Sequence, residues 1–274
     1  MPTAEVNGTT LYFETGSEPV GIRPGLVLHG GPGVDHNYLR PALDRLGDRL
    51  GLTYVDHRGH GQSGGGPERP TVARLADDAA ALAAHLGHDR LVVVAHSWGG
   101  SVAQELALRH PDRVAGLVLV AATAGELGAD ESLLDDMGPP LPVEADILTR
   151  VPPATDEELE ATVRALGPYY LRSGDPDAAA DLFARCRFDA GAMVRSMHFL
   201  ATWTAVARLG DVTAPALLIG GRHDVFCPPE QLARMARRMP RAEVVVLDES
   251  AHLPWADEPE RFFPIVEEWL DRLP

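Results

Sequence analysis

The sequence predicts an α/β protein with a mostly parallel central sheet, helices on both faces and a helical insertion. Three observations carry this. Several short apolar runs are continuous rather than alternating, as strands covered on both faces require. Helix-like segments alternate with them. After Ala122 that rhythm breaks, and it resumes only near Ala216.

The elements follow in order. Thr10 to Thr15 carries strand-forming residues behind an Asn7-Gly8 turn, so the chain opens on a β-hairpin. The continuous apolar runs are Gly25 to His29, Leu52 to Asp56, Leu91 to Ala95 and Val114 to Val120. Between them, Tyr38 to Leu50, Thr71 to Leu86 and Ser97 to His110 fit helices, the last stopped by Pro111. The segment after Ala122 holds the proline pairs Pro139-Pro140 and Pro152-Pro153 and helix-like stretches at Asp156 to Leu166 and Asp177 to Cys186. Strand Ala216 to Gly220, helix Pro229 to Met239, strand Glu243 to Leu247 and a closing helix from Glu258 to Leu273 complete the pattern. This predicts a core formed by 1–123 and 208–274, interrupted by a helical cap at 124–207.

At 274 residues the chain suits one domain with such an insertion. No apolar run approaches the roughly 20 residues needed to cross a bilayer, and the amino end shows no secretory pattern, so the expected location is the cytoplasm. A formal charge of -16 repels phosphate backbones and anionic membranes, which argues against nucleic acid or membrane partners. Cys186 and Cys227 form no Cys-x-x-Cys pair and read as buried thiols. His57 and His60 are spaced i, i+3, but Gly59 and Gly61 break the helix a metal-binding pair would need. No metal or cofactor is expected, and the sequence sets no oligomeric state.

The chemistry concentrates at strand ends. Ala95-His96-Ser97-Trp98-Gly99 follows Val92-Val93-Val94 and precedes a helix, a near match to the Gly-x-Ser-x-Gly elbow with Ala95 in place of the first glycine. A serine nucleophile needs a base within reach and an acid to orient that base. Gly220-Gly221-Arg222-His223-Asp224 ends one strand, and Ser250-Ala251-His252 follows another, so Asp224 and His252 are the candidates. His29-Gly30-Gly31-Pro32-Gly33 offers unobstructed backbone after the Gly25 strand, and the Gly31 and Trp98 amides are the expected oxyanion donors.

These residues, with Asp56-His57-Arg58-Gly59-His60-Gly61-Gln62-Ser63 and Asp257-Glu258-Pro259-Glu260, carry a resemblance over nearly the whole length. The chain resembles the α/β-hydrolase superfamily, and within it most resembles the proline iminopeptidase-like branch, peptidase family S33. The order Ser97, Asp224, His252 is that of an α/β-hydrolase. The resemblance implies a serine hydrolase that cleaves a small amide, ester or lactone through an acyl-enzyme, with an aminopeptidase favoured and a carboxylesterase or lactonase as the alternative. A lyase or cyclase reusing the triad, or a ligand receptor on the same scaffold, are further alternatives.

Other residues compete for these roles. Glu126 and Asp248 rival Asp224 as the acid, and His223 and His96 rival His252 as the base. His96 is expected to pack behind the nucleophile. Asp56 and Arg58 are expected to pair and hold their turn. His29, Gly30, His96, Phe199, Trp203 and Phe226 are candidates for the substrate pocket, although the helical spacing of Phe199 and Trp203 fits ordinary packing equally well. Between Ala124 and Ala207 stand 15 acids and six arginines, a surface that favours cationic or neutral substrates over anions. Proline iminopeptidases use cap glutamates to hold a free amino group. The stretch from Cys186 to Asp211 contains no glutamate, only Asp189 and Asp211 as acids.

Overall fold

A computed structural model describes residues 2–16, 22–66, 70–125 and 152–274. Glu126 and the Pro139-Pro140 pair therefore lie outside the described residues. An eight-stranded sheet runs in the order β1-β2-β4-β3-β5-β6-β7-β8. The strands are β1 (Thr3–Val6), β2 (Thr9–Thr15), β3 (Arg23–Leu28), β4 (Leu50–Val55), β5 (Leu91–His96), β6 (Val114–Val120), β7 (Ala216–Gly221) and β8 (Ala242–Leu247). β1 and β2 form the expected hairpin, closed by Asn7 and Gly8 with φ of 46° and 74°, the left-handed pair that a two-residue turn of this kind demands. β2 joins β4 antiparallel, and β3 to β8 are parallel to one another.

The continuous apolar strands are buried on both faces. In β5, Val93 packs with Leu28, Leu117 and Leu218 on one side of the sheet. Val92 and Val94 pack with Val27, Val118 and Ile219 on the other. The first side is covered by α1 (Val72–His85) and α2 (Gly99–Arg109), through residues such as Leu75, Val102 and Leu106. β8 is the open edge, and its middle residues Glu243 and Val244 are exposed.

One expected helix is not continuous. Tyr38 to Leu50 divides into a 3-10 turn at His36–Tyr38, one α-turn at Arg40–Leu43 and a second 3-10 turn at Asp44–Asp48. Pro41 is tolerated only in a first turn, because it lacks an N–H, and Leu50 and Gly51 are claimed by β4, paired with Arg23 and Pro24.

Past β6 the described chain forms α3 (Asp156–Ala165), α4 (Pro176–Phe183) and α5 (Ala190–Leu200), with a single turn at Gly167–Tyr170 between the first two. Thr155, Asp175 and Asp189 cap these helices by accepting backbone N–H bonds in the first turn. The segment rests on the carboxyl-end loops of the sheet. Asp189 N–H donates to Gly33 C=O (2.8 Å), and Leu253 N–H donates to Tyr170 C=O (3.1 Å). The chain then returns through β7, α6 (Pro229–Ala236), β8 and α7 (Pro259–Asp271). Phe262, Phe263, Val266 and Trp269 of α7 cover the second face of the sheet. β4 and β5 lie on opposite sides of β3, so the chain reverses its direction of winding there, and a crevice opens at the carboxyl ends of β3 and β5.

Candidate active site

The elbow after β5 fills that crevice. Ser97 has φ of 53°, a left-handed conformation that costs a side-chain-bearing residue about 1–2 kcal/mol. Its N–H donates to Val120 C=O (2.9 Å) and its C=O accepts from Gly100 N–H (2.9 Å), so the turn is held from both sides. α2 leaves the elbow so close to β3 that a Cβ on Gly99 would lie 2.5 Å from the His29 carbonyl oxygen, and only glycine fits. Ser97 is half-buried, between a buried His96 and a buried Trp98.

The three residues chosen from the sequence meet. His252 Nδ1 lies 2.9 Å from Asp224 Oδ2, and His252 Nε2 lies 3.1 Å from Ser97 Oγ. A carboxylate can only accept, so the imidazole proton is on Nδ1, and Nε2 is left bare to accept from the serine hydroxyl. Asp224 is anchored in turn, because its Oδ1 accepts the Phe226 and Cys227 amides at 2.8 and 2.9 Å. The His252 loop is fixed by the Asp257-Glu258 pair: Asp257 accepts from Ala251 N–H (2.8 Å), and Glu258 accepts from the Ser250 hydroxyl (2.7 Å) and Glu249 N–H (2.8 Å). Asp248 pairs with Arg222 at 2.7 Å, and His223 is exposed.

The loop after β3 is locked peptide by peptide. His29 Nε2 accepts from His57 N–H (3.1 Å), which puts the His29 proton on Nδ1, where it donates to Gly30 C=O (2.9 Å). Because that peptide is planar and trans, Gly31 N–H is directed away from His29. Gly31 itself has φ of 55°. Trp98 stands at the N-cap of α2, where helix geometry leaves backbone N–H groups without intrahelical partners.

The other candidates fall into place around this centre. His29 and His96 are buried with both ring nitrogens bonded, behind the elbow. Phe226 contacts the His252 ring with centroids 4.9 Å apart, and Phe199 meets Trp98 edge-on at 6.4 Å. The Trp203 indole N–H donates to Glu105 (3.0 Å). Asp56 and Arg58 do not pair with each other. Asp56 Oδ1 lies 2.7 Å from His36 Nδ1, whereas Arg58 reaches Asp78 bidentately at 2.7 and 2.8 Å. The two side chains leave the turn toward different neighbours, a divergence that adjacency in sequence does not report. Burial holds the imidazoles of this floor neutral, with His57 lowered to about 3 and His60 to about 4.

Three participants were not singled out from the sequence. Tyr170, from the turn after α3, stacks on Phe226 (5.3 Å) and tilts over His252 (6.1 Å). Tyr38 bonds the loop after β3. Cys227 brings its sulfur within 4.8 Å of donor atoms of Asp224 and His252, and burial pushes its thiol well above the usual cysteine range. The thiol therefore stays protonated. For Cys227, its position three residues beyond Asp224 was the available signal; the two tyrosines carried none.

Sheet order, elbow and strand-end residues together define a hydrolase of the α/β class. The profile of the alpha/beta hydrolase fold matches residues 26–259, and the chain belongs to this family. Among its relatives is a protein of Rhizobium rhizogenes that carries the name carbamate hydrolase RutD, 28% identical over 86% of this chain and 88% of that protein. A solved thermophilic esterase from Thermogutta terrifontis superposes with a TM-score of 0.77 at 25% identity, covering 98% of this chain and 96% of that one. A proline iminopeptidase of Mycobacterium smegmatis superposes with a TM-score of 0.73, also at 25% identity, over 99% and 97% of the two chains. No described helix is long and apolar enough to cross a membrane.

Proposed function

We propose that this enzyme cleaves a small, neutral acyl compound, an ester, lactone or carbamate, through a covalent acyl-serine. Ser97 Oγ attacks the carbonyl carbon while His252 Nε2 takes the hydroxyl proton, and Asp224 stabilises the imidazolium and keeps its orientation. Gly31 and Trp98 N–H groups stabilise the developing oxyanion. His252 then gives its proton to the departing oxygen as the carbonyl–oxygen bond breaks. Water, deprotonated by the same imidazole, releases the acid and restores Ser97. The described part of the insertion, 152–207, acts as the cap over this centre, and the step requires no cofactor.

The observation that carries the reading is the pair of bonds Ser97–His252–Asp224 at 3.1 and 2.9 Å on a serine with positive φ. Choice of substrate rests on the rings around it. Tyr170 and Phe226 pack on one another, Phe226 packs on His252, and Trp98 meets Phe199 beside the elbow, so the rings near Ser97 suit an uncharged acyl or alkoxy group. The names of the carbamate hydrolase and esterase relatives agree with that class.

Aminopeptidase activity ranks second. It draws on the likeness to the proline iminopeptidase and on the acidic composition of 124–207. Against it, Asp189, the insertion carboxylate whose backbone bonds Gly33, is occupied in capping α5. A panel of short aryl esters, acyl lactones, aryl carbamates and prolyl arylamides decides between them. Ser97→Ala is expected to abolish turnover with the fold intact. Wild-type turnover in that variant, or hydrolysis of free-amine amides alone, would overturn the reading.

A further inference from the structure

Behind the elbow, hydrogen bonds run unbroken from the loop after β3 to the backbone of His252. Gly30 N–H donates to the Tyr38 hydroxyl at 2.7 Å. Tyr38 lies 2.7 Å from His96 Nδ1, and His96 Nε2 lies 3.1 Å from the His252 carbonyl oxygen. The directions of all three bonds are determined by donor–acceptor logic. The His252 carbonyl can only accept, so the His96 proton is on Nε2 and Nδ1 is bare. A bare Nδ1 must receive the tyrosine proton, and the tyrosine oxygen is then free to accept from Gly30. Every member has its complement, and only one tautomer of His96 satisfies the set.

We propose that Tyr38 and His96 form a positioning strut that fixes the distance between the oxyanion loop and the catalytic histidine. The proposal rests on the roles given above to Ser97, Gly31 and His252. Neither strut residue touches the reacting atoms, so both act through the groups they hold. The strut has little room to yield. A Cβ on Gly30 would lie 2.8 Å from both the His96 carbonyl oxygen and Ser97 Cβ, so loop and elbow are in direct contact. Tyr38 is 2% exposed and His96 4%, and no bulk water is available to replace the bonds they make. Burial and the neighbouring His252 hold His96 well below the ordinary histidine range, which keeps Nδ1 bare. Tyr38 also stacks on Phe183 of α4 at 5.0 Å, and His96 meets Trp255 edge-on at 4.7 Å. Seating of the helical segment therefore bears on the same strut.

The test compares wild type, Ser97→Ala, Tyr38→Phe, His96→Gln and His96→Met by steady-state hydrolysis of p-nitrophenyl acetate, with thermal melts to confirm folding. Glutamine can accept from Tyr38 and donate to His252; methionine, of similar length, cannot donate and accepts only weakly. Tyr38→Phe and His96→Met are expected to lower kcat by about tenfold to hundredfold with KM within about twofold, because the loss is of geometry rather than of binding. His96→Gln is expected to recover most of kcat. The double variant Tyr38→Phe/His96→Met is expected to be no slower than the worse single variant, as for two parts of one device. If Ser97→Ala is inactive while Tyr38→Phe keeps wild-type kcat, the strut is overturned and the catalytic reading stands. If Ser97→Ala turns over normally, the catalytic reading itself fails. Should Tyr38→Phe not fold, His96→Gln against His96→Met makes the same comparison, and equal kcat in those two overturns the proposal.

Discussion

Asp224→Asn separates orientation from packing at the centre of the site. Asp224 makes two kinds of bond: Oδ1 receives the Phe226 and Cys227 amides, and Oδ2 receives His252 Nδ1–H. Asparagine can keep its oxygen on the two backbone amides, which leaves its NH2 facing His252. That group can only donate, so the imidazole must turn its bare nitrogen toward it and carry the proton on Nε2. The base can then no longer accept from Ser97 Oγ. The same tautomer error in a serine protease triad lowers kcat on the order of 10⁴-fold, which is about 5.4 kcal/mol of transition-state stabilisation. Folding should suffer far less, since the amide bonds persist and no cavity forms. The assay is steady-state hydrolysis of a p-nitrophenyl ester beside a thermal melt. A kcat within tenfold of wild type, from a variant that melts normally, would refute the assignment and move attention to Glu126.

Two further predictions concern stability. Asp78→Ala leaves the guanidinium of Arg58, whose side chain is 1% exposed, buried without its bidentate partner; urea unfolding should show a loss of about 3–5 kcal/mol, and a loss below about 1 kcal/mol would show that the pair does not carry its turn. His57 and His60 are held at about 3 and about 4, against about 6.5 in an unfolded chain. The unfolded state therefore binds protons that the folded state refuses. Their contribution is intact above about pH 6.5 and is lost as pH falls from there toward 4, by about 1.4 kcal/mol per pH unit for each histidine. Comparing urea unfolding of wild type and His60→Gln between pH 7 and 5 should show a shallower pH dependence in the variant, and equal slopes would contradict a neutral His60.

The parallel sheet was legible because burial on both faces leaves continuous apolar runs such as Val92-Val93-Val94, and the elbow because a serine at a strand end needs small neighbours. That Asp224 and His252 would come together at Ser97 was legible from their placement after β7 and β8. Side-chain partners were not. Arg58 chooses Asp78 on α1, twenty residues away, over Asp56 two residues away, and that choice depends on how α1 packs on β1. Tyr38 sat inside an expected helix that Pro41 and the start of β4 divide. Its hydroxyl reaches Gly30 only because the chain turns there. The proton on His96 is assigned by a carbonyl 156 residues later, so no local pattern records it.

The left-handed backbone of Ser97 sets survival against turnover at a single position. Replacing it with glycine would relieve about 1 kcal/mol of conformational cost while deleting the hydroxyl. In a library of variants sorted only for heat resistance, residue 97 is thus a place where inactive clones gain the advantage.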